Sequence, residues 1–267
     1  MTAPGWNALL RDYGKAENGW KGKQMDTIKI HTGACKMVAH RGVSGLEKEN
    51  TMAAFVAAGN RSYFGIETDV HRTGDGQYVV IHDGDTGRVA RENLVVAQCG
   101  LEQLRGLCLN DIQDGTPRGD LRIPTLEEYA RACKRYGKAS VLELKDDFTS
   151  AQLAEIIGIL RAEDQLDAVI FISFLLENLV RLREILPGHA AQYLASRVEE
   201  GTISALLRYR LDLDAHYAAV DAALVKRLHE DGLKVNCWTV DSPIEAGNLI
   251  SMGVDYITSN ILEGGGH

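Results

Sequence analysis

The sequence predicts an α/β chain folded as a (β/α)₈ TIM barrel, with a small insertion after the second barrel strand. Short β-branched or apolar runs recur at 37–40, 65–70, 140–145, 168–174, 191–195, 213–217, 234–240 and 254–258. Amphipathic helical patterns separate most of them, at 51–59, 150–163, 175–186, 200–208, 224–231 and 244–252. No Gly-rich dinucleotide fingerprint follows the first run, which disfavours a doubly wound sheet. Eight alternating units in 267 residues favour a closed parallel barrel.

Taken in order, the chain opens with a polar, Gly-rich lead over 1–35, which has no apolar h-region and could cover the barrel bottom or serve an oligomer contact. The barrel domain is expected over 36–262 and a tail over 263–267, with His267 read as a solvated terminal residue. One run breaks the alternation. Residues 78–82 follow 65–70 across Thr73-Gly74-Asp75-Gly76, too short for a helix but suited to a hairpin turn. They read as an antiparallel excursion that returns His82 beside Glu67 and Asp69. From 83 to 122 no clean strand appears, and Gly84, Gly87, Gly106, Gly115, Pro117 and Gly119 interrupt the pattern. This is the expected insertion, at the catalytic end of the barrel.

Composition narrows the class. Hydrophobic residues make up 45%, which suits a well-buried core, and the net charge of −8 argues against a nucleic-acid footprint. No run reaches the length of a membrane span, so no stable membrane insertion is expected. The five cysteines are odd in number and form no close pair, which points to a reducing, cytoplasmic setting. An oligomer is possible but not indicated.

The chemistry gathers between Val38 and Asp83, with two later additions. Glu67 and Asp69 lie two apart on a strand and so share a face. Inside a barrel they would repel, and a hard divalent cation such as Mg²⁺ or Ca²⁺ relieves that repulsion; a solvated face or an ion pair is the alternative. Glu143, flanked by Val141, Leu142 and Leu144, is a third carboxylate in apolar company, although Lys145 shares its face and could salt-bridge it. His40 and His82 each end an apolar run, as core histidines do, but a carboxylate trio between and beyond them suggests a general base and a general acid. No HxH or HExxH spacing supports zinc. Arg41 offers a phosphate fork, or a structural ion pair to Glu49 or Glu67. Trp238 shares a face with Asn236 and is either core or an apolar wall at the barrel mouth. His71, His31, His189, His216 and His229 read as surface or packing residues.

With these residues placed, the chain resembles the glycerophosphodiester phosphodiesterase family. The resemblance runs through His40-Arg41-Gly42, Glu49-Asn50-Thr51 with Ala54-Phe55, Gly65-Ile66-Glu67-Thr68-Asp69-Val70, Asp75-Gly76 and Val80-Ile81-His82-Asp83. It continues through Ile123-Pro124-Thr125-Leu126-Glu127-Glu128, Glu143-Leu144-Lys145, Ile172-Ser173-Phe174, Trp238-Thr239-Val240 and Gly253-Val254-Asp255-Tyr256-Ile257-Thr258. Together these cover about residues 36 to 260, and their joint order is the specific signal. Lys48 stands where the family often has Pro, a change confined to a loop.

The resemblance implies a barrel enzyme that uses Mg²⁺ or Ca²⁺ to hydrolyse a small-molecule glycerophosphodiester to an alcohol and glycerol 3-phosphate. It implies Glu67, Asp69 and Glu143 as metal ligands, His40 and His82 as the acid–base pair, and Arg41 and Lys145 as phosphate contacts. Trp238 would flank the glycerol or the leaving group. The implied route begins with attack of the glycerol 2-hydroxyl on phosphorus, and water then opens the cyclic phosphate. A lysophospholipase D-like activity on lysophospholipids is a second reading. A non-catalytic phosphodiester-binding protein is a third, and the paired histidines argue against it.

Overall fold

A computed structural model describes residues 26–265. Residues 1–25 of the lead, and His267 of the tail, lie outside the described residues. The barrel strands are β2 (Lys36–Ala39), β3 (Gly65–Arg72), β5 (Ala139–Leu144), β6 (Val169–Ser173), β7 (Ala191–Ala195), β8 (Asp212–His216), β9 (Val235–Trp238) and β10 (Tyr256–Ser259). Each pairs in parallel with its neighbours, and β2 pairs with both β10 and β3, which closes the barrel. The expected (β/α)₈ architecture is the observed one, with strand ends shifted by a residue or two from the sequence pattern, as helix and strand ends commonly are.

Side-chain alternation sets the two layers. Val38, Val141, Ile170, Ile172, Leu194 and Tyr256 point inward and form a small core within the barrel. Their strand neighbours Met37, Ala39, Leu142, Phe171 and Ile257 belong to the larger core beneath the helices. The helices there are α1 (Met52–Gly59), α3 (Leu126–Tyr136), α4 (Ser150–Ala162), α5 (Leu176–Ile185), α6 (Glu200–Tyr209), α7 (Ala222–Glu230) and α8 (Pro243–Met252), with α2 (Leu101–Gly106) outside the ring. α3 is absent from the helical patterns above, yet Thr125-Leu126-Glu127-Glu128 is a capping box. The Glu128 amide donates to Thr125 Oγ1 at 3.3 Å, and the Thr125 amide to Glu128 Oε2 at 2.9 Å. Phe55 meets Tyr129 edge-on at 5.1 Å, where α1 packs on α3. Gly59 permits that approach, since a Cβ there would lie 2.4 Å from the Tyr136 ring.

The hairpin forms as the short loop requires. β4 (Tyr78–Val80) runs antiparallel to β3, with Val70 opposite Val80 and Arg72 opposite Tyr78. The intervening turn closes through the Thr73 amide on the Gln77 carbonyl at 2.8 Å, with Gly76 at φ +85°. Residues 83–122 contain α2, a 3₁₀ turn at Val96–Gln98 and isolated bridges only. They bury Val89, Val96, Leu104, Leu109 and Leu121 against Val79 and Ile81, a second core beside the barrel. The flanks meet each other: β1 (Ile28–Ile30) pairs in parallel with β11 (Leu262–Gly264). Among the described residues all five cysteines are free, and no helix is long and apolar enough to cross a membrane.

Candidate active site

The predicted residues converge at the C-terminal ends of the barrel strands, where the connecting loops of such barrels carry function. Glu67 and Asp69 project from β3 and Glu143 from β5, in adjacent positions because Asp69 registers opposite Glu143. One carboxylate oxygen from each lies within 4.8 Å of the others, and the three residues are 3%, 0% and 7% exposed. Asn50 Nδ2 donates to Asp69 Oδ2 at 2.8 Å, while Asp69 Oδ1 is buried with no hydrogen-bond partner. The Arg41 amide donates to Glu67 Oε2 at 2.7 Å.

The charges in this cluster are unequal. Burial and the neighbouring Asp69 push Glu67 well above the usual carboxylate range. Burial and Asp69 likewise push Glu143 up to about 7 against the pull of Lys145. Burial works to raise Asp69 as well, but the Arg41 and Lys145 cations overcome it and hold Asp69 ionised. Lys145 Nζ sits 3.0 Å from Glu143 Oε1 and 3.6 Å from Asp69 Oδ1, so the ion pair anticipated for Glu143 forms within the cluster and does not disperse it. Three buried acidic groups with all-oxygen donor atoms, one of them unsatisfied, suit a hard divalent cation.

His40 follows β2 at the rim. Its Nδ1 lies 2.7 Å from Asn260 Oδ1, and its Nε2 4.0 Å from Glu67 Oε2. Burial, then the adjacent Arg41 cation, pull its pKa down to about 4, which keeps the ring neutral near neutral pH. The next two residues fix its position. Arg41 is left-handed at φ 54° and Gly42 at φ +75°, and a Cβ on Gly42 would fall 2.6 Å from the Ala54 Cβ. His-Arg-Gly is therefore a backbone requirement as well as a chemical one.

His82 arrives on the far end of the hairpin. Its Nδ1 is 2.6 Å from Asp83 Oδ1, and its Nε2 is 3.2 Å from Lys145 Nζ. Burial first, with the Arg41 and Lys145 charges, lowers its pKa. Arg88 then links the two sides of the site. It holds Asp83 Oδ2 at 2.6 Å and both oxygens of Glu49 at 2.7 and 2.9 Å, and Glu49 accepts from Arg41 Nη1 at 3.0 Å. The ion pair anticipated between Arg41 and Glu49 is thus present. Arg41 still faces the cavity, with Nε 3.6 Å from Asp69 Oδ2.

Trp238 lines the same cavity, edge-on to Phe174 at 5.6 Å and to His216 at 5.4 Å. His71 is a buried packing residue: Nδ1 meets Asp146 Oδ1 at 2.7 Å, and Nε2 the His82 carbonyl at 3.2 Å. Every predicted site residue except Asp69 and Lys145 lines the cavity; Lys145 reaches it through Glu143 and Asp69 through Arg41. Sequence reasoning passed over Asn50, Asp83, Arg88, Asp214 and Asn260. Asn50 and Asp83 stood inside quoted motifs without a role. Asp214 stood inside an anticipated strand, where Leu213-Asp214-Ala215 carried an alternation that could have marked it.

Known proteins share this arrangement of fold and sequence. The family model described as glycerophosphoryl diester phosphodiesterase matches residues 40–263. A putative glycerophosphodiester phosphodiesterase of Bacillus subtilis is 29% identical over 84% of this chain and 93% of its own length. A glycerophosphodiester phosphodiesterase of Caldanaerobacter subterraneus is 30% identical, again over 84% of this chain and 93% of its own. The structure of an Oleispira antarctica phosphodiesterase in complex with its product sn-glycerol-3-phosphate superposes with a TM-score of 0.79 at 27% identity, covering 85% of this chain and 93% of that one. The chain belongs to the glycerophosphoryl diester phosphodiesterase family.

Proposed function

We propose that the chain is a phosphoric diester hydrolase that converts glycerophosphodiesters to an alcohol and glycerol 3-phosphate. The observation that carries this is the buried trio Glu67, Asp69 and Glu143 set between His82 and His40, whose ring is neutral near pH 7. Family membership supports the substrate class. Residues 36–262 are the catalytic domain in this reading, with 83–122 as its insertion.

Glu67, Asp69 and Glu143 would hold Mg²⁺ or Ca²⁺, which when bound supplies positive charge against a phosphoryl oxygen. Arg41 and Lys145 provide further cationic contacts for the phosphate. His40 has its Nδ1 hydrogen engaged by Asn260 and a lone pair on Nε2, the condition of a general base. It removes the proton from the glycerol 2-hydroxyl. That oxygen bonds to phosphorus, the bond from phosphorus to the alcohol oxygen breaks, and His82, which enters this step as the imidazolium with Asp83 beside it, gives its proton to the departing oxygen and is left neutral. In the second half the roles reverse: His82 takes a proton from water, which opens the cyclic phosphate, and His40 returns a proton to the 2-oxygen. Trp238 flanks the organic part of the substrate.

A panel of glycerophosphodiesters with choline, ethanolamine, serine and glycerol head groups, with Mg²⁺ or Ca²⁺ added, tests this. Release of glycerol 3-phosphate from at least one is the expected result, and no phosphomonoester from any would refute it. Phe174 and Leu175, 41% and 40% exposed beside Trp238, favour lysophospholipids as a second substrate class. Long-chain lysophospholipids in the same panel decide that question.

A further inference from the structure

We propose that Asp214 is a specificity-determining residue whose carboxyl hydrogen-bonds a hydroxyl of the substrate's glycerol moiety at the inner wall of the cavity. The proposal rests on the functional reading above. Asp214 points inward from β8, is 2% exposed and lines the cavity, and its Oδ1 has no hydrogen-bond partner. The neighbouring polar groups inside the barrel satisfy one another instead. Asn236 Nδ2 donates to Gln192 Oε1 at 3.1 Å, and Thr258 Oγ1 to Asn236 Oδ1 at 3.2 Å. Asn236 is the register partner of Asp214, yet its side-chain hydrogen bonds go to Gln192 and Thr258.

A buried carboxyl oxygen without a partner destabilises a fold. The adjacent inward residues Ile172 and Leu194 are apolar, so an alkyl side chain would suit this position better for packing alone. Burial, then the charge of Glu143, push Asp214 far above the usual carboxylate range, so it can donate as well as accept a hydrogen bond. Asp214 stands in the wall of a cavity of about 100 Å³, room for a moiety of a few heavy atoms and too little for a bulky head group. With phosphate at the His40–Arg41 end, the glycerol carbons fall against Ile172, Leu194 and Trp238, and a hydroxyl reaches Asp214. The departing alcohol then has the open depression beside Ser44, Asp241 and Asn260, about 480 Å³, on the other side of His40.

The test uses the metal-loaded full chain and the variants Asp214→Leu and Asp214→Asn. Inhibition by glycerol 3-phosphate and by inorganic phosphate is measured alongside KM for glycerophosphocholine and the melting temperature. Asp214→Leu is expected to weaken glycerol 3-phosphate roughly five- to tenfold while leaving inorganic phosphate unchanged. KM should rise by a similar factor, and Tm by roughly 2–4 °C. Asp214→Asn, which keeps donor and acceptor, should stay within about twofold of wild type. Unchanged glycerol 3-phosphate binding in Asp214→Leu, or equal loss of both inhibitors in both variants, would overturn the proposal. If the wild type turns over no diester while Asp214→Leu still loses glycerol 3-phosphate selectively, the functional reading is refuted and the assignment of Asp214 to the glycerol moiety stands.

Discussion

Asn260 Oδ1 lies 2.7 Å from His40 Nδ1, and this contact sets the tautomer of the proposed base. Asn260 cannot be flipped without penalty, because its Nδ2 donates to Asp241 Oδ2 at 2.6 Å while Ser44 Oγ donates to its Oδ1 at 2.6 Å. The amide oxygen therefore faces His40, Nδ1 carries the hydrogen, and Nε2 keeps its lone pair toward Glu67.

Asn260→Ala is accordingly expected to lower kcat by about 10- to 100-fold with KM changed little, since it frees the ring and its tautomer without removing a proposed phosphate contact. Steady-state kinetics with a circular-dichroism check of folding measures this. A kcat within about twofold of wild type would show that His40 needs no such orientation.

The carboxylate trio gives a pH-dependent stability. Glu67 has its folded pKa raised by burial and Asp69, so metal-free protein loses stability as pH rises above the unfolded carboxylate range of ~4.3, and continues to do so up to the folded pKa. Glu67→Gln removes that titration and keeps an acceptor for the Arg41 amide. In EDTA its Tm should exceed that of wild type by an amount that grows from pH 5 to pH 8. Adding Mg²⁺ or Ca²⁺ should raise the wild-type Tm and move the variant far less. Parallel Tm profiles for the two proteins would contradict this account of the cluster.

Trp238 is held by Phe174 and His216, and its indole Nε1 donates to the Asp214 carbonyl at 3.3 Å. Trp238→Ala should raise KM for glycerophosphocholine roughly tenfold or more, from the loss of apolar wall, with a smaller effect on kcat. An unchanged KM, measured over the same substrate range, would remove Trp238 from the substrate's surroundings.

Much of the site was legible because strand alternation forces it. Glu67 and Asp69 share a face at a spacing of two, and Glu143 joins them once β5 pairs with β3 in register. The hairpin was legible because four turn residues leave no room for a crossover. What escaped depends on distant contacts. Asn260 matters through its 220-residue reach to His40, and Arg88 through a loop with no periodic signal. Asp214 was hidden for another reason: an acidic residue in a short alternating strand reads equally well as solvent-facing until the barrel's inside is known. The β1–β11 pair, three residues on each strand, joins the lead to the junction of domain and tail, which no sequence pattern linked.

The central claim is that metal-assisted acid–base chemistry at His40 and the carboxylate trio releases glycerol 3-phosphate. The most direct measurement follows glycerol 3-phosphate from glycerophosphocholine by wild type with Mg²⁺ or Ca²⁺, by wild type in EDTA, and by metal-loaded His40→Ala. The account predicts turnover in the first case, loss in EDTA that is restored by added metal, and a decrease of about 10²–10⁴-fold in His40→Ala. Undiminished release in EDTA, or by His40→Ala, would contradict it.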